Sequence, residues 1–374
     1  MFRNLLCRRK EIAMDKKWKV ALVGLGNWAE TVYLPQMKRI ENAELVCLCT
    51  RNEERLNMIS DKYGVAQRFT DWHKMIEEGE FDILMNITPI AMHHEINMAA
   101  LNAGKHVYSQ KPFAQNVHDA TLQIEAAEKN NVKFSTSPIH NLRPVIRQAK
   151  RLIQNGTIGD VVMAKVSTAH GGPEYFQFRD NDPSWFFKPD AGALLDMGVH
   201  GLTVITSLMG PAREMSCMAY TGEPEREQRS GKLDGLKIKA DYLPDSYIFS
   251  FSFKNGGIGT ADVGYGQKAA KLSAFEIYGT KGTICIPHRL EERMQVYIDS
   301  KELGLRGWMD PMPMEKEDAE EFFQCKALAD LIDSIEKDRA PLLSPYQSRH
   351  VIEIMEKTPK AIAEKRTIQL ETSF

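Results

Sequence analysis

The chain has 374 residues, enough for two domains at roughly 100–200 residues each. Hydrophobic residues make up 43% and charged residues 26%, an ordinary globular balance. With 48 basic and 50 acidic side chains, the formal charge is −2. There is no net field to hold a nucleic acid or an anionic membrane, and no apolar run long enough to span a bilayer.

Residues 1–16 form an N-terminal arm. Its first 13 residues are basic, and their two-leucine apolar core is too short for the hydrophobic region of a signal peptide. Strand and helix signals then alternate. Strands are predicted at 18–24, 43–49, 81–87, 105–109 and 132–137, with helices at 27–40, 52–63, 90–103 and 115–130. Strands separated by helices of about ten residues or more imply βαβ units and a parallel sheet.

The second half follows a helix at 142–154 and reads differently. Strand-like runs are predicted at 160–170, 214–220, 246–254, 257–266, 273–279 and 282–287, interrupted by one helix at 192–209. Asn255-Gly256-Gly257 and Thr280-Lys281-Gly282 read as hairpin turns, so this sheet is expected to be antiparallel. Residues 222–235 are polar and predict a mobile loop. Amphipathic helices at 318–337 and 345–364 close the chain. The expected division is 17–138 for a nucleotide-binding domain and 139–374 for a substrate and oligomerisation domain, with the terminal helices as candidates to pack back on the first.

The six cysteines form no C-x-x-C pair and have no zinc-ligand spacing, so no metal is expected. Cys47 and Cys49 share one face of a strand and read as core thiols. A chain of this size needs no disulfide framework, which fits a reducing cytoplasm.

Gly24-Leu25-Gly26-Asn27-Trp28-Ala29 is a G-x-G-x-x-A between a strand and a helix, as the dinucleotide fingerprint requires. Gly24 makes the tight turn, Gly26 lets a pyrophosphate approach, and Ala29 allows close helix packing. The helix amides and dipole favour phosphate. The second strand ends at Thr50-Arg51, where an NAD-selective site usually places an acid. Thr50 can donate to a 2′-phosphate and Arg51 can pair with it, so NAD or NADP is expected, with NADP favoured.

Thr88-Pro89 ends a later strand and is followed by His93. Lys111, before Pro112, stands at the carboxyl end of a parallel strand, facing the crevice where a nicotinamide would lie. Asp196 and His200 are four apart on an apolar helix and share a face. They read equally as an acid/base couple, with Asp196 orienting the ring, or as a structural pair. Trp185 offers either a stacking face for sugar C–H groups or a packing surface.

Together, from about residue 17 to 365, these features resemble the Gfo/Idh/MocA family of oxidoreductases. AGKHVYSQKP is similar to that family's A-G-K-H-V-x-x-E-K-P, and GALLDMGVH to its G-A-L-L-D-x-G-x-H. The resemblance implies an α/β chain with two parts. The first is an N-terminal Rossmann domain, a doubly wound parallel sheet. The second is a C-terminal α/β domain whose open, mostly antiparallel sheet forms a homo-oligomer interface. It implies Lys111 beside the reacting hydroxyl, Asp196 as the carboxylate and His200 as the acid/base group, all three contacting substrate. Thr88, Pro89 and His93 match a cofactor-side T-P-x-x-x-H.

Three positions depart from the family pattern. Gln110 replaces the glutamate of E-K-P on the cofactor side, Ile90 an asparagine, and Thr203 an aspartate. No proton-transfer residue is lost. The function expected is hydride transfer between a nicotinamide and a hydroxyl-bearing carbon of a sugar, polyol or glycoside. The alternatives are a redox-assisted glycoside-cleaving enzyme on the same scaffold and a non-catalytic NAD(P)-binding regulator.

Overall fold

The structure, a computed structural model, describes residues 17–176, 181–271, 274–287, 293–312 and 324–374. The N-terminal arm and the start of the helix predicted at 318–337 lie outside the described residues. The described chain divides into two compact units. One holds 17–139 with 324–345, and the other holds the remaining described residues of 140–320 with 346–374.

The first unit is built on six strands: β1 (Trp18–Val23), β2 (Ala43–Cys49), β3 (Gln67–Phe69), β4 (Ile83–Asn86), β5 (His106–Ser109) and β6 (Phe134–Thr136). Their order is β3-β2-β1-β4-β5-β6, and every pairing is parallel. Val20–Val23 and Ile83–Asn86 are buried at every position, as strands covered on both faces must be. The order reverses between β1 and β4, which opens a crevice at the carboxyl ends of the strands. Asn52, Asp71 and Asn116 cap the helices Glu53–Tyr63, Trp72–Glu78 and Val117–Lys129 through their side-chain oxygens.

Helix Lys326–Glu336 also belongs to this unit and packs beside β5 and β6. Trp18 Nε1 donates to Glu336 Oε1 at 3.0 Å, and Cys325 N to Gln36 Oε1 at 3.1 Å. Cys47 and Cys49 are buried, and burial pushes both thiols up to about 12, so they are inert core groups.

The second unit carries a nine-stranded sheet. Its strands are β7 (Val161–Ala169), β8 (Ala212–Tyr220), β11 (Ser246–Phe253), β12 (Ile258–Gly264), β13 (Phe275–Gly279), β14 (Gly282–Ile286), β15 (Gln295–Ser300), β16 (Leu305–Met309) and β17 (Ile368–Gln369). The order is β16-β15-β14-β13-β7-β12-β11-β8-β17. All neighbours are antiparallel except β7 and β12, which run parallel. Tyr247, Phe249, Phe251 and Phe253 alternate inward from β11. Helix Val199–Met209 covers β7 and β12 on the same side. The opposite face leaves Met218, Tyr220, Ile248 and Ile258 exposed.

Residues 222–235 are not the mobile loop that their polarity predicts. They hold β9 (Glu225–Glu227), which pairs antiparallel with β10 (Lys237–Lys239), and Arg226 and Gln228 are buried. No helix among the described residues is long and apolar enough to cross a membrane, and no cluster among them could hold a metal ion.

Candidate active site

In the first unit, the turn after β1 is shaped by two glycines with different tasks. Gly24 has φ +94°, and a Cβ there would sit 2.7 Å from the backbone of Ile87 and Thr88. Only glycine lets β1 pass so close to the end of β4. A Cβ on Gly26 would meet nothing within 4 Å, so this exposed backbone is open to an approaching ligand. A cradle of this kind fits a dinucleotide pyrophosphate.

Leu25 and Ala29 are buried, while Asn27 and Trp28 are half-buried beside the opening. Arg55, which the sequence reading passed over, braces the loop. Its Nε donates to the Leu25 carbonyl, and its Nη2 pairs with Glu30 Oε2 at 2.6 Å. The only local hint of this role was a cation in the first turn of a helix, where the dipole disfavours one. Thr50 is half-buried at the end of β2, and Arg51 beside it is exposed.

At the end of β4, Asn86 Oδ1 accepts from Thr88 N at 3.2 Å and Thr88 Oγ1 at 2.6 Å, and Pro89 is exposed. His93 is only 1% exposed, with Nδ1 2.7 Å from the Pro112 carbonyl and Nε2 2.8 Å from the Thr88 carbonyl. It ties together the turns after β4 and β5. The resemblance implies that His93 stands on the cofactor side; its ring lies between the turns after β4 and β5, and in the neutral form it donates to one of the two carbonyls. Burial pushes its pKa below the ordinary histidine value, against the pull of the two carbonyls.

Gln110 is buried, and its Nε2 donates to the Tyr33 hydroxyl, which lies 2.8 Å from the Tyr108 hydroxyl. Gln110 Oε1 accepts from the backbone N–H of Lys111 at 3.2 Å. Burial raises the pKa of both phenols, that of Tyr108 to about 12, so the row is a neutral hydrogen-bond chain under the half-buried Lys111.

In the second unit, Asp196 lies on a π-helical turn, Leu194–Gly198, that runs directly into helix Val199–Met209. His200 is on the first turn of that helix. Such turns widen a helix locally and often mark functional positions. The sequence left Asp196 and His200 open as an acid/base couple or a structural pair. Each also has a partner from elsewhere in the chain: His140 Nε2 lies 2.9 Å from His200 Nδ1, and the Tyr265 hydroxyl donates to Asp196 Oδ2 at 2.9 Å. Neither His140 nor Tyr265 was marked by any local motif.

Tyr265 is 1% exposed, and its pKa stands well above 10 because of burial and the neighbouring Asp196 charge. It therefore acts as a permanent donor. Thr203, one of the departures noted above, donates to the Val199 carbonyl at 2.7 Å and is satisfied within its helix. Trp185 is 45% exposed and stacks on Phe186 at 3.7 Å.

Residues 18–137 match a family model described as oxidoreductase family, NAD-binding Rossmann fold, and residues 146–285 match the GFO/IDH/MocA C-terminal domain. A myo-inositol 2-dehydrogenase of Thermotoga maritima is 24% identical over 359 residues, spanning 94% of this chain and 98% of its own length. A D-glucoside 3-dehydrogenase of Escherichia coli is 26% identical over 243 residues, spanning 64% of this chain and 68% of its own. An NAD binding oxidoreductase from Klebsiella pneumoniae has the same fold, with a TM-score of 0.82 at 22% identity over 96% of this chain and 100% of its own.

Proposed function

This chain belongs to the Gfo/Idh/MocA family of NAD-binding oxidoreductases, and we propose that it moves hydride to or from a hydroxyl-bearing carbon of a sugar, polyol or glycoside. The observation that carries this reading is the pair of buried supports, His140 under His200 and Tyr265 under Asp196, at the start of a largely buried helix. Polar groups in such a place cost stability unless they are partnered. The relatives named for inositol and glucoside oxidation support the substrate class.

The nicotinamide cofactor, when bound, accepts or supplies the hydride. The Gly24–Trp28 loop would hold its pyrophosphate, Thr50 and Arg51 the adenosine ribose, and Thr88, Pro89 and Gln110 the nicotinamide side. Arg51 stands where NAD selectivity would place an acid, which supports use of NADP.

The proton follows from the His140–His200 contact. To accept on Nε2, the neutral His200 ring must carry its proton on Nδ1 and donate it to His140 Nε2. His200 then takes the substrate hydroxyl proton on Nε2 as the carbinol loses hydride, and returns it in the reverse direction. Lys111 stabilises the developing alkoxide with its ammonium group. Asp196, aimed by Tyr265, orients the substrate through a second hydroxyl. Trp185 offers its exposed face to sugar C–H groups.

The exposed face of the nine-stranded sheet, with Met218 at 79%, Tyr220 at 74% and Ile248 at 59%, supports a homo-oligomer through that sheet. A monodisperse monomer by light scattering at micromolar concentration would refute it.

The test is a screen of myo-inositol, aldoses and alkyl glycosides with both cofactors, following nicotinamide absorbance and product mass. Oxidation of a hydroxyl is the expected result. Release of an aglycone would reassign the chain to redox-assisted glycoside cleavage. Tight cofactor binding with no product of either kind would make it a regulator.

A further inference from the structure

The hairpin formed by β9 and β10 stands apart from both sheets, yet it inserts a fully buried cation. The Arg226 side chain has no exposed surface, and its two carboxylate partners, Glu174 and Asp245, are each 3% exposed. Its Nη1 donates to Glu174 Oε1 at 2.7 Å and to the Gly171 carbonyl at 3.0 Å. Its Nη2 donates to Asp245 Oδ2 at 2.9 Å and to the Tyr265 carbonyl at 3.3 Å. The guanidinium also lies against the rings of Phe187 and Tyr265, 5.5 and 5.9 Å from their centroids.

The chain is shaped around this group. Gly172 has φ +107°, and a Cβ there would meet the Glu174 carboxylate at 2.5 Å and Arg226 Nη1 at 2.8 Å. Tyr265 is held from every side. Its N–H donates to the Asp245 carbonyl at 2.7 Å, its carbonyl accepts from Arg226, and its ring lies between His170 at 5.3 Å and Phe187 at 5.6 Å. Its one outward bond is the hydroxyl on Asp196. The four elements that Arg226 joins, namely the turn after β7, the hairpin, the start of β11 and the end of β12, therefore meet at a phenol aimed at the candidate site carboxylate.

We propose that Arg226 is a positioning residue of the substrate site, fixing Tyr265 so that its hydroxyl holds Asp196. A buried ion cluster could serve stability alone, but that role needs no tyrosine hydroxyl on a site carboxylate. The inference rests on the reading of Asp196 as part of the active site, and its test separates the two.

The variants are Arg226→Lys, Arg226→Met, Tyr265→Phe, the Arg226→Met/Tyr265→Phe pair, and Asp196→Asn as reference. Turnover is followed on the substrate found in the screen above, with melting temperature recorded for each protein. Tyr265→Phe keeps the ring and should fold as the parent does, with kcat lowered about 10-fold, since one hydrogen bond to a charged group is lost. Arg226→Met should lower kcat similarly, Arg226→Lys less, and the double variant no further than its singles, because all act through one hydroxyl.

Hydrogen exchange of 194–200 without substrate provides a readout independent of turnover. It should rise in Tyr265→Phe and in Arg226→Lys, and unchanged exchange in both overturns the inference whatever the activity. Loss of kcat in Asp196→Asn with parental kcat in Tyr265→Phe also overturns it. Parental kcat in Asp196→Asn overturns instead the reading of Asp196 on which the inference rests.

Discussion

The two units position the polar groups of the candidate site in opposite ways. In the first, the groups that matter are mostly backbone: the turn at Gly24 and Gly26, and the turns held by His93. They lie at the carboxyl ends of neighbouring parallel strands, so topology alone gathers them. In the second they are side chains, and Asp196 and His200 are supported by residues dozens of positions away. A backbone site tolerates change in most side chains but not in its glycines. A side-chain site fails through its partners.

The largest effect should come from the glycines. Gly26→Val fills an open approach without touching the protein, so NAD(H) and NADP(H) binding should vanish in fluorescence titration while the melting temperature hardly moves. Gly24→Ala should do the reverse. Its Cβ meets backbone at 2.7 Å with φ +94°, and the strain should cost about 1–3 kcal/mol of stability. If both variants lost only binding, the two glycines would not divide their tasks.

Next in size is the proposed acid/base group. His200→Ala should lower kcat per folded molecule by about 10²–10⁴, with cofactor affinity nearly intact. His140→Ala should lower it about 10-fold, because it removes only the partner of Nδ1. Near-parental turnover in His200→Ala would turn the cluster into a structural one.

Two buried histidines among the described residues, outside the proposed acid/base group, sharpen the comparison through pH. His350 in the second unit accepts from Ala212 N on Nε2 at 3.0 Å, and burial holds its pKa at about 4. The unfolded value is near 6.5, so the neutral folded form is favoured. This stabilisation, on the order of 3 kcal/mol, is fully present above about pH 6.5 and is lost as pH falls towards 4. Melting temperature should fall across that window, and His350→Gln should flatten the slope. An unchanged slope would show that another group governs acid sensitivity. His93 in the first unit is also lowered by burial, but two carbonyls oppose the shift, so His93→Gln should alter the slope less.

The smallest expected effect is cofactor choice. Arg51 is exposed, and Arg51→Ala should weaken NADP severalfold more than NAD in parallel titrations. Equal losses would remove Arg51 from the 2′-phosphate site.

Much of the first unit was legible because its signals are local. Buried strand runs, capping residues and the glycine turn each occupy a few consecutive positions. Strand Gln67–Phe69 escaped notice because three residues carry no measurable period, and Arg55 because its partners are carbonyl and carboxylate groups brought near by the fold. In the second unit the alternation of β11 was plain, whereas β15 and β16 are interrupted by polar residues and were missed.

By itself the sequence determined the alternation of strands and helices in the first unit and the glycine turn after β1, and it singled out Lys111, Asp196 and His200 as candidates, since these depend on short-range sterics and on side-chain chemistry. Only the tertiary structure decided that β7 and β12 run parallel, that His140 and Tyr265 support the site, and that Arg226 lies buried in a segment polar enough to read as a loop. Burial of a charge depends on whether partners arrive from elsewhere. Glu174 lies 52 residues away and Asp245 19, and no local pattern of residues records that they will meet.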